Sequence, residues 1–345
     1  MVLFKKGDKQ DAENYRPISL LSILYKLFAK LVDKRIGPIL DAAQSVDQAG
    51  FRSGFGCEDH LFTITHLVQT ANEYQLPLWV AAVDFQKAFD SVEHASLWTN
   101  LRDMGVPAAY IRVLASLYIL QSGEIITDKT SKKFAIRRGT KQGDPLSPKL
   151  FNAVLEGVLR KLKVEWSAKG YGVRVQPETA ARLTNLRFAD DILSIASSKD
   201  EAQDMLASLA RASSEVGLQI HLGKTKLLSN IPDAERGYLK KIEVAGGEVE
   251  VVPYEDAVMY LGRSLSLGRM QEEELRHRIA RAWSKFHQFK KELCGRYFPL
   301  LDRLRLFEAV VTPSVLYACG TWTMNSGMEC MLRSAQRQML RKYCK

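Results

Sequence analysis

Three carboxylates stand where a folded chain rarely leaves charge uncompensated. Asp84 ends the apolar run Leu78–Val83, and Asp190 and Asp191 interrupt two further apolar runs, Leu183–Phe188 and Ile192–Ile195. Unpaired carboxylates in apolar surroundings are costly to desolvate and tend to protonate. A divalent cation removes the conflict by supplying the local positive charge. Mg2+ takes carboxylate oxygens together with substrate phosphates. Two such ions, roughly 3.5–4 Å apart, hold the attacking and leaving oxygens of an in-line phosphoryl transfer. The competing readings are a plain Asp-rich turn for Asp190–Asp191 and a cap or strand-end carboxylate for Asp84.

These carboxylates need elements to bring them together across 106 positions of sequence. Leu78–Val83 lacks alternation, as in a strand buried on both faces. Helical spacing follows over Ser96–Met104 and Ala108–Leu120, and Gly123–Ile136 reads as a strand pair turning at Asp128–Thr130. Ser147 and Pro148 are expected to open a helix, with Ser147 as N-cap and Leu150, Phe151, Val154, Leu155, Val158, Leu159 and Leu162 on its apolar face. The runs around Asp190–Asp191 form a hairpin pattern. Ser198 and Glu201 make a capping box that opens a helix ending near Gly217, and Leu218–Leu222 is expected to be the next strand. The order strand, helix, hairpin, helix, strand is that of a ferredoxin-like sheet. Its first strand and hairpin are neighbours, so Asp84 and Asp190–Asp191 are expected to meet at one sheet edge. Earlier, helical periodicity marks Leu24–Val32, a Gly-rich loop spans Gly50–Gly56 and a helix covers about Asp59–Glu73; later, Ile242–Val252 reads as a hairpin and the chain is helical from Gln271.

Of 345 residues, 46% are hydrophobic and 26% charged, the composition of a globular protein of two or three packed units. No stretch of 18 uninterrupted apolar residues suggests a membrane span, and residues 1–8 lack a secretory apolar core. The five cysteines include no C-x-x-C pair, which argues against a disulfide scaffold or a zinc site. The net charge of +10 is concentrated late: residues 263–345 hold 16 Lys and Arg against 7 Asp and Glu. Such a surface attracts phosphate backbones; the bland alternative is a solvated helical face.

At these residues the sequence resembles the reverse transcriptases of non-LTR (LINE-like) retrotransposons. The resemblance is carried by Phe188-Ala-Asp-Asp191 and by Asp84-Phe-Gln-Lys-Ala-Phe-Asp90. Asn14-Tyr-Arg-Pro-Ile-Ser-Leu20 and Gln48-Ala-Gly-Phe-Arg52 resemble the first and second fingers motifs. Arg138-Gly-Thr-Lys-Gln-Gly-Asp-Pro-Leu-Ser-Pro148 resembles the motif beside the incoming nucleotide, and Gly217–Thr225 the fourth palm motif. Tyr260-Leu-Gly262 resembles the start of the primer-grip hairpin, and Leu316–Trp322 the element-encoded thumb.

The resemblance implies an α+β right-hand polymerase with a ferredoxin-like palm sheet: fingers at 1–60 and 103–143, palm at 61–102 and 144–262, and a helical basic thumb at 263–345. It implies an RNA-directed DNA polymerase that extends a DNA primer with dNTPs on an RNA template, using two Mg2+ ions for which Mn2+ can substitute. Asp84, Asp190 and Asp191 are then the catalytic metal ligands, with the main-chain carbonyl of Phe85 completing one shell. Phe89 is the gate that excludes a ribose 2′-hydroxyl, against a bland reading as core packing. Arg16, with Lys5 or Lys6, clamps the triphosphate. Gln142 and Gly143 line the nucleotide pocket, Lys224 protonates pyrophosphate as general acid, and Arg52 contacts template. The bland readings are a frayed terminus for Lys5 and Lys6, a surface lysine for Lys224, and for Gln142 and Gly143 a loop that merely feeds the following helix.

Two departures stand out: His221 where the family often has Asn, and Gly320 where an acidic residue is usual. The chain opens almost at the first fingers motif, so the expectation is an isolated polymerase core or a fragment of a longer element protein. Nuclear action is implied by the resemblance, without a clear basic import run. The rival readings are a decayed or maturase-like module that binds RNA without catalysis, an RNA-dependent RNA polymerase, which usually has Gly where Ala189 stands, and an unrelated Mg2+ phosphohydrolase.

Overall fold

The computed structural model describes residues 2–4, 8, 15–17, 19–119, 121–124, 131–175, 181–268 and 270–343. The chain packs as two units. One contains residues 1–55, 79–227 and 241–250, the other residues 56–78, 228–240 and 251–345.

The first unit is built on a six-stranded sheet. Its strand order is Lys241–Val244, Gly247–Val251, Lys226–Ser229, Trp79–Val83, Asp191–Ala196, Asn185–Phe188. Trp79, Val80, Ala81 and Val83 are all buried, as the unbroken apolar run requires of a central strand. This strand runs antiparallel to Asp191–Ala196, pairing Val83 with Ile192. The latter returns along Asn185–Phe188, pairing Phe188 with Asp191. Asp84 and Asp191 thus fall at the same end of adjacent strands.

Two helices pack against one another beside this sheet. Ser147–Ala168 buries Leu150, Phe151, Val154, Leu155, Val158, Leu159 and Leu162, so the expected apolar face is present. Its Trp166 donates from Nε1 to Ser208 Oγ at 3.0 Å, joining it to the helix Lys199–Ser214. The start of the first helix differs from expectation. Ser147 lies inside it and Leu146 is the cap residue, because the Asp144 carboxylate accepts from Leu146 N at 3.0 Å. Ser198 does cap the later helix, accepting from Glu201 N at 3.2 Å, but the Glu201 carboxylate returns to Ser197 rather than to Ser198.

The strand expected at Leu218–Leu222 is also corrected: the sheet takes Lys226–Ser229 instead. The earlier segment lies alongside Asp84 without forming a ladder. Gln86 N donates to Gln219 O at 2.8 Å and His221 N to Asp84 O at 2.7 Å. Thr225 N and Lys224 N then both bond His221 O, turning the chain before it re-enters the sheet. Ser122–Gly123 pairs with Phe134–Ala135 as the expected strand pair, while its turn at 128–130 lies outside the described residues.

The second unit contains the helix Cys57–Glu73, the hairpin Val258–Leu265 and the helices from Met270 to Tyr343. Its late helices close on Ala282, Phe286, Leu293, Val311 and Met339. Leu261 and Gly262 both take positive φ, 46° and 75°, which the tight turn between paired strands demands. Among the described residues no helix is long and apolar enough to cross a membrane.

Candidate active site

The end of the central strands opens into a cleft of about 1050 Å³. Asp84, Asp190 and Asp191 line it together with Phe85, Phe89, Gln142, Gly143 and Lys224. Eight of the residues singled out in the sequence therefore share one cavity within the first unit.

Asp84 is held from its backbone. Its N–H donates to Thr225 Oγ1 at 3.3 Å and its carbonyl accepts from His221 N. The same turn delivers Lys224, whose Nζ stands 3.7 Å from Asp84 Oδ2. Both side chains are partly open to solvent, so the pair is a weak tie that substrate can replace. Asp191 carries the clearest electrostatic mark. Burial, then the charge of Asp190, then that of Asp84 push its carboxyl up to about 6. Its side chain nonetheless opens to the cleft.

That crowding tests whether the residues suit a cation. Three mutually repelling carboxylates on one cleft are the donor set that a hard divalent ion relieves. Among the described residues no three acidic, His or Cys side chains close into a ready-made metal cage. Sites completed by substrate oxygens do not require one, and the residues present fit an ion held partly by a phosphate.

Phe89 follows Ala88 in a single helical turn, Ala88–Ser91, introduced by Lys87 at φ 46°. Its ring stacks on the buried Phe151 at a centroid distance of 4.6 Å and an interplanar angle of 29°. Its main-chain oxygen accepts from Thr140 N at 2.6 Å. Gly139 N donates to Val92 O at 2.7 Å, and a Cβ on Gly139 would sit 2.6 Å from Asp90 O, so only glycine allows this approach. Gln142 Nε2 reaches both oxygens of Asp90, at 3.2 and 3.1 Å. The motif loop is thereby bound along the Phe89 segment.

The remaining candidates fare differently. Arg16 lies in the short strand Tyr15–Pro17, next to the cleft-lining Tyr15. Lys5 and Lys6 lie outside the described residues. Arg52, expected on template, spends its guanidinium on the carbonyls of Ser45, Gln48 and Asp41 at 2.6–2.9 Å and stacks over Phe55. It clamps its own loop and is not among the cleft-lining residues.

A cluster that sequence reading missed stands at the cleft wall. Tyr25 donates to Asp144 Oδ2 at 2.6 Å, and the Lys141 ammonium lies over the rings of Tyr25 and Tyr118 at 4.8 and 5.2 Å. Burial lowers the Lys141 pKa, with Asp144 opposing. Burial and then Asp144 drive the Tyr25 phenol well above its ordinary range. The cluster joins residues up to 119 positions apart, and a polar residue beside a glycine gave no sign of it.

Comparison with known proteins completes the picture. The family described as reverse transcriptase (RNA-dependent DNA polymerase) matches residues 4–265. The Pol polyprotein of the R2 retrotransposable element of Nasonia vitripennis is 28% identical over 267 residues, 75% of this chain and 25% of that protein. That of the Drosophila melanogaster element R2DM is 30% identical over 214 residues, 61% of this chain and 19% of that protein. The chain thus spans a quarter or less of the length of these two relatives. In fold it is similar to the solved apo telomerase of Candida tropicalis, with a TM-score of 0.51 at 12% identity, covering 91% of this chain and 55% of that one. The chain belongs to the reverse transcriptase (RNA-dependent DNA polymerase) family and has the right-hand polymerase fold.

Proposed function

We propose that this chain copies RNA into DNA by two-metal phosphoryl transfer at the Asp84–Asp190–Asp191 cleft. The observation that carries the reading is the convergence of these carboxylates with Lys224, Phe89 and Gln142 on one cavity. The primer 3′-hydroxyl attacks the α-phosphate of a dNTP, and the bond to pyrophosphate breaks. Bound divalent ions, two Mg2+ in this proposal, supply charge stabilisation for the developing oxyanions. Asp84, Asp190 and Asp191 would hold them, with the Phe85 carbonyl as a further oxygen. Lys224 donates the proton that leaves with pyrophosphate. Phe89, backed by Phe151, fills the space of a 2′-hydroxyl, and Gln142 and Gly143 border the nucleotide.

Within the polymerase we assign fingers to 1–60 and 103–143, palm to 61–102 and 144–262, and thumb to 263–345. These functional regions cut the chain differently from the two packing units. The 16 basic residues after position 262 support a thumb that grips the RNA–DNA hybrid through its backbone. Arg16, with Lys5 or Lys6, is proposed for the triphosphate, and the nucleus as the place of action.

Primer extension on poly(rA)–oligo(dT) with Mg2+ tests the reading. Extension with dTTP but not UTP, abolished in Asp190→Ala, is the expected result. A folded wild-type chain that binds the hybrid without extending it would reduce the protein to a binding module.

A further inference from the structure

The Asp190–Asp191 turn is strained at the residue before it. Ala189 has φ 56°, in the left-handed region that non-glycine residues seldom occupy, and it is buried. A turn of this kind persists only where its surroundings hold it. The holding group is the side chain of Gln48, which is 1% exposed. Its Oε1 accepts from Ala189 N at 2.9 Å and from Gly50 N at 2.9 Å. Its Nε2 donates to Asn152 Oδ1 at 3.3 Å, and Asn152 Nδ2 donates in turn to Gly50 O at 2.8 Å.

The backbone repeats the connection. Ala49 N donates to Arg187 O and Arg187 N to Asp47 O, so the loop adds itself to the edge strand that leads into the turn. Gly50 makes the close approach possible. A Cβ there would stand 2.4 Å from Ala189 N and 2.9 Å from the Phe188 carbonyl carbon.

We propose that Gln48 is a positioning residue for the catalytic turn: its amide, seated on Asn152 and Gly50, holds Ala189 left-handed and so sets the direction in which Asp190 and Asp191 enter the cleft. The inference rests on the proposed polymerase reading for what the aspartates do. The latch itself is a matter of the fold.

Gln48→Met keeps the volume and removes both the acceptor and the donor. Its expected effect is a fall in kcat of about 10- to 100-fold, the scale of a slightly misplaced reacting group. KM for dTTP and hybrid affinity are expected to change by only about 2-fold. Hydrogen exchange of the peptide spanning Ala189–Asp191 is expected to accelerate. The discriminating variant is Gln48→Met with Ala189→Gly. Glycine takes positive φ unaided, so the second change restores about 5-fold or more of the lost kcat. A purely structural defect would not be rescued in this way.

Unchanged kcat in Gln48→Met overturns the proposal, and so does a loss that tracks falling thermal stability and ignores Ala189→Gly. If the wild-type chain itself fails to extend primers, the polymerase reading falls and exchange decides the latch. Unaltered protection of the 189–191 peptide in Gln48→Met then overturns it, and lost protection supports it.

Discussion

The Lys224 ammonium stands 3.7 Å from the Asp84 carboxylate although 140 positions separate them, because the turn that begins at His221 is itself bonded to the Asp84 carbonyl. One backbone contact therefore places both the proposed proton donor and the proposed metal ligand. Lys224→Ala is expected to lower kcat by about 10²–10⁴-fold, the range of general acid–base catalysis, with a small change in KM for dTTP. Lys224→Arg retains the charge but holds its proton too tightly to donate, and is expected to stay well below wild type. A near wild-type rate in Lys224→Ala would return the residue to the solvated surface.

Phe89 lies against Phe151 rather than swinging in an open cleft. A ring backed by a fully buried neighbour cannot recoil, so in the proposed polymerase sugar selection would rest on the pair. Phe89→Ala is expected to raise UTP incorporation relative to dTTP by roughly 10- to 200-fold, the usual worth of one steric contact in a pocket. Phe151→Leu, which keeps the core apolar, is expected to move the ratio in the same direction but less far. Single-nucleotide insertion kinetics with both substrates measures it; an unaltered ratio in Phe89→Ala would leave the ring as core packing.

The sequence carried those parts of the site that depend on local pattern. The apolar run into Asp84, the hairpin around Asp190–Asp191 and the apolar face of Ser147–Ala168 all lie in structure as their periodicity implies. What the local pattern did not show was set by specific hydrogen bonds. Leu218–Leu222 has a strand's composition, but Asp84 and Gln86 bond it singly, and the His221 turn hands the ladder to Lys226–Ser229. Arg52 sits in a motif and has the right charge, but its hold on the carbonyls of Ser45, Gln48 and Asp41 has no mark in the pattern. Gln48 was one letter of a motif, and its partners Asn152 and Ala189 lie 104 and 141 positions away.

Asp191 gives a pH signature. Its folded pKa is raised from 3.8 to about 6 by burial, Asp190 and Asp84, in that order. The folded chain thus holds this proton more tightly than the unfolded chain. The group favours folding most below pH 3.8, and that contribution is lost as pH rises through about 6. Exposure to the cleft keeps the stability term small. The larger effect is expected on the proposed metal binding, because a cation there would compete with the proton. Apparent Mg2+ affinity is expected to weaken as pH falls below about 6. In Asp190→Asn the Asp191 titration, followed by carboxyl NMR, is expected to move to lower pH; a midpoint that stays put would remove repulsion from the account.

The strand before the Asp190–Asp191 turn is anchored by a buried ion pair. Arg187, which is 0% exposed, donates from Nη2 to Glu156 Oε2 at 2.9 Å, and Glu156 itself is 4% exposed. Among the described residues no partner reaches Arg187 Nε or Nη1, so Glu156 is the chief compensation for that charge. Deleting one member of such a pair strands the other in low dielectric. Glu156→Ala is therefore expected to destabilise the fold by about 3–5 kcal/mol in denaturant titration. Glu156→Met with Arg187→Met removes both charges at similar volume and is expected to recover most of that loss. The double variant also keeps the main-chain bonds by which Arg187 joins Asp47 and Ala49, which do not depend on its side chain. Activity should accordingly return with stability. A double variant as unstable as Glu156→Ala would show that packing around these side chains, and not the unpaired charge, sets the cost.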